Sequence, residues 1–129
     1  MLVDVGHMNL RLHSEGYFHG ITPGEYFARI PVPILEVHLH DNKGDDDRHG
    51  HIGFGDVDFT AVARGLRATG FDGISTIEIC PLFHGSKPPE SRPRVRESLD
   101  TWRKLWIQAG LDHGSVNRDA AGGVQGAVQ

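Results

Sequence analysis

The chain has 129 residues, enough for one domain with a modest core, and its 38% hydrophobic and 23% charged content is ordinary for a soluble globular protein. A net charge of −4 supplies no general attraction to nucleic acid or to an anionic membrane. No apolar run approaches the ~20 residues of a spanning helix, the opening residues lack the pattern of a signal peptide, and a lone Cys80 excludes an internal disulfide, so a reducing compartment, the cytoplasm, is expected.

In chain order, residues 2–5 are a short apolar run that reads as a strand. Thr22 and Pro23 open a short helix as N-cap and first helical residue, with Tyr26, Phe27 and Ile30 on one face, and Pro31 and Pro33 end it. Residues 34–39 read as a second strand, compact and bounded by prolines and a polar loop. The loop from His40 to Val57 is rich in Gly and Asp and longer than most connections, which marks it as functional or disordered. Asp58 caps a helix carrying Phe59, Val62, Ala63 and Leu66 and ending at Gly70. Residues 74–79 form the third strand, and a Pro-rich loop follows. Pro93 then opens a long helix with Val95, Leu99, Trp102, Trp106 and Ala109 at helical spacing. The domain is expected to span residues 1–110, with 111–129 a disordered tail.

Alternation of strand and helix implies a parallel sheet with right-handed crossovers. Asp4, His38 and Glu78 each stand at or near the C-terminal end of a strand, which in a parallel α/β barrel is the end that carries chemistry. Strand alternation directs His38 and His40 to one side. Glu78, between Ile77 and Ile79, is costly to bury unless it is paired or bound to a cation. Asp47 and His49 offer a D-x-H pair in the long loop. Four other histidines, His13, His19, His84 and His113, lie in polar or irregular stretches and read as surface or capping groups.

Taken together, D-x-x-H from Asp4, V-H-L-H-D-N from Val37, D-R-H-x-x-I-G-x-G-x-x-D-F from Asp47 and G-F-D-G-I-x-x-I-E from Gly70, in order and at these spacings, resemble the last three βα units of the xylose-isomerase-like TIM barrels. That superfamily includes sugar isomerases, epimerases and endonuclease IV. The resemblance covers roughly residues 2 to 108. It implies an α/β fold, a partial (β/α)8 barrel, with Asp4, His38 and Glu78 as ligands of a divalent cation (Mn, Mg, Co or Zn). It implies Asp47 and His49 as further metal ligands, Glu78 and His7 as catalytic groups, and His7, Asn9, His40 and Arg48 as substrate contacts.

The reaction implied is isomerisation or epimerisation of a sugar or sugar phosphate through an enediolate, with a small-molecule sugar as partner and neither nucleic acid nor membrane. One alternative is an endonuclease IV-like zinc phosphodiesterase, against which stand acidic rim loops and basic residues gathered on the last helix. Another is a non-catalytic truncated fragment. The family's first five strands, and the Glu ligand carried by the fifth, have no counterpart in the sequence. Three units cannot close a barrel. A homo-oligomer, or a missing N-terminal half supplied by another chain, is therefore expected.

Overall fold

A computed structural model describes residues 1–80 and 88–121, with side chains described over 1–80 and 92–112. Three strands, β1 (Leu2–Asp4), β2 (Glu36–Leu39) and β3 (Ile74–Ile77), form one parallel sheet in the order β1-β2-β3. Four helices accompany them: α1 (Val5–His13), α2 (Pro23–Ala28), α3 (Phe59–Ala68) and α4 (Pro88–Ala121). Asp4 pairs with His38, and His38 with Thr76, so the polar strand ends fall in one row.

The period of two along each strand sorts the side chains onto two faces. Val3, Val37 and Leu39 are buried beneath the helices and pack with Met8, Phe27, Val62, Leu66 and Trp102. Burying a side chain such as Phe27 or Leu66 contributes roughly 1.5–3 kcal/mol. Leu2, Asp4, Glu36, His38, Ile74 and Thr76 occupy the other face, and each is partly or fully exposed. In a closed barrel that face would be the interior.

The helix starts follow their sequence signals. Thr22 accepts from the Glu25 amide while the Glu25 carboxylate accepts from the Thr22 amide, a complete capping box on α2. Asp58 accepts from the Ala61 amide at the start of α3. Gly65 of α3 lies against Phe27 and the Gly24 backbone, where a Cβ would crowd the Phe27 ring at 2.8 Å, so α2 and α3 approach closely.

Four features differ from expectation. Helix α1 begins at Val5, the residue to which the first strand was expected to run; Asp4 is its N-cap and accepts from the His7 amide at 2.8 Å. Strand β3 ends at Ile77, although the Glu78 amide still donates to the Leu39 carbonyl at 3.1 Å. Helix α4 starts at Pro88 and carries Pro93 inside it. It also runs on to Ala121, past the boundary expected near residue 110. The Pro-rich loop with His84, the His113 side chain and residues 122–129 of the expected tail lie outside the described residues.

Candidate metal centre

Two groups of side chains meet at the C-terminal ends of the strands. In the first, Asp4, His38 and Glu78 each place one ligand atom within 4.8 Å of the others. The His38 Nδ1 lies 2.9 Å from a Glu78 carboxylate oxygen. In the second, His7, His40, Asp47 and His49 meet the same criterion. The groups are continuous: His40 Nε2 is 2.9 Å from Asp4 Oδ1, and His49 Nδ1 is 3.9 Å from Glu78 Oε2.

Each member is delivered by a separate piece of backbone. Asp4 and His38 are paired positions on β1 and β2, and Glu78 follows β3. His7 stands in the first turn of α1, with its Nε2 3.0 Å from Asp47 Oδ2. Asp47 and His49 come from the long loop, which is tied at its base by reciprocal backbone hydrogen bonds between Asp41 and Gly50. Inside the loop the buried Asp41 carboxylate accepts from the Gly53 and Val57 amides. Buried Asn42 donates to the Gly6 carbonyl and accepts from the Gly44 amide. His49 holds a left-handed backbone (φ 46°), a conformation costing a non-glycine residue about 1–2 kcal/mol. The loop is therefore built to place Asp47 and His49 at the strand ends.

The electrostatics follow from this packing. Burial disfavours the Asp4 carboxylate, but the hydrogen bonds from His40 and the His7 amide, with the nearby imidazoles, outweigh it and hold the carboxyl below its ordinary value of 3.8. Asp47 is lowered in the same way, burial being outweighed by the His7 hydrogen bond and the surrounding histidines. The hydrogen bond to Asp47, against a smaller effect of burial, raises His7 above 6.5, helped by the charges of Asp4, Asp47 and Glu78.

Three residues expected to touch substrate are held by protein partners. His40 is fully buried: the strand ends at Leu39, alternation ends with it, and the ring packs over Gly6 and stacks on His49 at 3.9 Å between centroids. Gly6 is required there, because any Cβ would collide with that ring. Asn9 is 4% exposed, and its amide donates to the Asn42 and Asp56 side chains, so it braces the loop. Arg48 is exposed and pairs with Asp46 at 3.3 Å rather than with the clusters. Sequence reasoning missed the position of His40 in the second group; the signal was the small Gly6 opposite it, which leaves room for an imidazole only once α1 is known to be a helix.

The donor set fits a divalent cation. Two carboxylates and an imidazole in one shell are the mixed O/N ligation that first-row divalent ions accept. His40 Nδ1 and Asp47 Oδ1 are buried without a hydrogen-bond partner among the described residues, although Asp47 Oδ1 lies 3.3 Å from His49 Nε2. Unsatisfied atoms of this kind beside clustered carboxylates have room for a cation or a water as partner.

A parallel βα sheet with such a rim defines a TIM-barrel segment, and the family model for xylose isomerase-like TIM barrels matches residues 1–105. The chain belongs to that family. An uncharacterised protein of Methanocaldococcus jannaschii, MJ1311, is 36% identical over 75 residues, covering 58% of this chain and 24% of that protein. Among solved structures, a D-tagatose 3-epimerase-like protein superposes with a TM-score of 0.64 and 25% identity, over 87% of this chain and 36% of the other. The chain thus spans about a quarter and about a third of the lengths of these relatives.

Proposed function

We propose that the chain contributes the metal-binding rim of a divalent-metal-dependent sugar, or sugar phosphate, isomerase or epimerase. The observation that carries this reading is the convergence of Asp4, His38 and Glu78 from three consecutive parallel strand ends within 4.8 Å. The name of the solved epimerase-like neighbour supports a sugar substrate. A bound Mn, Mg, Co or Zn ion would polarise the carbonyl and hydroxyl of the sugar. Glu78, at the open side of the group, would remove the proton from the carbon beside the carbonyl, and His7, about half exposed, would hold a substrate hydroxyl. The test is Co²⁺ titration of the purified chain beside Glu78→Gln, with epimerase activity assayed on ketoses. Binding by the parent with a loss in the variant is expected; equal affinity in the two would refute the assignment.

The second group favours a second reading, a zinc phosphodiesterase resembling endonuclease IV, because His7, Asp47 and His49 fit a further ion beside the first. Against it, the loop between β2 and α3 carries Asp45, Asp46 and Asp47 in a row, a poor surface for a phosphate backbone. Hydrolysis of a phosphodiester by the zinc-loaded chain, without epimerase activity, would decide for it. A chain that binds no metal under any condition would leave the non-catalytic fragment.

No described helix is long and apolar enough to cross a membrane. The cytoplasm is the address we propose, with another chain or a second copy completing the barrel. In that assembly the carboxylate opposite Glu78 would come from the added strands.

A further inference from the structure

Glu36 is the unexplained residue of the inward face. Its register neighbours are Leu2 on one side and Ile74 on the other, so a carboxylate stands between two aliphatic side chains where TIM barrels place bulky branched residues. Closing the barrel over that face would bury the charge, a costly arrangement unless the group has work to do. It is not one of the clustered ligands. Its Oε1 instead lies 3.3 Å from His38 Nε2, the ring nitrogen opposite the one that faces Glu78, and accepts from the Thr76 hydroxyl at 3.0 Å.

We infer that Glu36 is a positioning residue for the metal centre, holding the His38 ring so that Nδ1 presents its lone pair to the cation. The inference rests on the metal-binding reading of Asp4, His38 and Glu78. The chain of contacts is Thr76 hydroxyl to Glu36 carboxylate, Glu36 carboxylate to within 3.3 Å of His38 Nε2, and His38 Nδ1 to Glu78 at the site. Thr76 pins the carboxylate from the neighbouring strand. With a cation on Nδ1, the carboxylate would take the hydrogen of Nε2 and make Nδ1 a stronger donor. Outer partners of this kind typically contribute 10–100-fold to metal affinity.

The experiment compares Co²⁺ affinity and the Co²⁺ ligand-field spectrum for the parent chain, Glu36→Leu and Glu36→Gln. Leu fills the space without an acceptor, whereas Gln retains a carbonyl oxygen for the His38 N–H. The expected result is a loss of about 10–100-fold in affinity and a shifted spectrum for Leu, with Gln restoring most of the affinity. Glu36 is about one-third exposed on the open face, and far-ultraviolet circular dichroism of both variants checks that the fold survives. Affinity and spectrum unchanged in Glu36→Leu would overturn the inference while leaving the ligand set intact. An equal loss in both variants would also overturn it, assigning the effect to charge rather than to the hydrogen bond. A parent chain that binds no Co²⁺ would overturn both this inference and the reading beneath it.

Discussion

At the scale of single residues, Asp4 does the most. It ends β1, caps α1 through the His7 amide, accepts from His40 and faces His38 and Glu78. Its roles can be separated, because Asn is as good an N-cap as Asp but lacks the charge. Asp4→Asn should leave the melting temperature within a few degrees of the parent and weaken divalent-cation binding severely. Asp4→Ala should lose the cap as well, costing about 1 kcal/mol or more. Thermal unfolding beside Co²⁺ titration measures both. A second prediction concerns pH in the metal-free chain. Asp4 and Asp47 have lowered values, so their contribution is present above the ordinary carboxylate range and lost as pH falls through the lowered values. His7 has a raised value, so its contribution is full below 6.5 and lost as pH rises through the raised value. Urea midpoints should therefore peak between about pH 4 and 6.5 as far as this cluster decides them. His7→Gln should flatten the alkaline limb and Asp47→Asn the acid limb.

At the scale of elements, the loop between β2 and α3 is a piece of architecture rather than a tether. Asp41 satisfies two loop amides from a buried position, and Asp41→Ala would orphan the buried Val57 amide, at about 1–3 kcal/mol, and release the exposed Gly53 amide. The expected outcome is a lower melting temperature together with faster amide exchange across residues 41–57, measured by hydrogen exchange. Much of the fold was legible beforehand. The three strands, their parallel order and the helices capped by Thr22 and Asp58 follow from local chemistry: prolines at the right ends, oxygen caps, and apolar residues at spacing two or three to four. Helix α1 was not legible, because Val5 extends the apolar run of the strand and Gly6, His7 and Asn9 are weak helix formers. Its signals were Asp4 as cap and Val5, Met8 and Leu12 on one face. The proline rule placed the start of α4 at Pro93, but Pro88 and Pro89 already occupy the first positions, where a missing amide hydrogen costs nothing. In the site, the convergence of Asp4, His38 and Glu78 was legible from their common place at the strand ends. The burial of His40 and Asn9 was not, since it depends on how α1 lies against the loop.

At the scale of the molecule, helices cover one face of the sheet and leave the other open. Leu2 and Ile74 on that face are 45% and 65% exposed, and among the described residues β1 has no strand paired on the side away from β2. An uncovered apolar edge invites pairing, and a three-stranded segment cannot roll into a barrel to remove it. The polar half of the same face is the candidate metal centre, so whatever covers the sheet also encloses the site. Covering should therefore couple assembly to metal binding. Sedimentation velocity over roughly 1–100 μM is expected to show concentration-dependent self-association of the isolated chain, since apolar exposure of this kind is rarely left free. Leu2→Lys, which places a charge on the inward face beside the β1 edge, should shift the distribution towards monomer. It should also weaken Co²⁺ binding, although Leu2 is not among the clustered ligands. A monodisperse monomer across the range, with the same Co²⁺ affinity in the parent and in Leu2→Lys, would show that the open face needs no partner and that the site stands without enclosure.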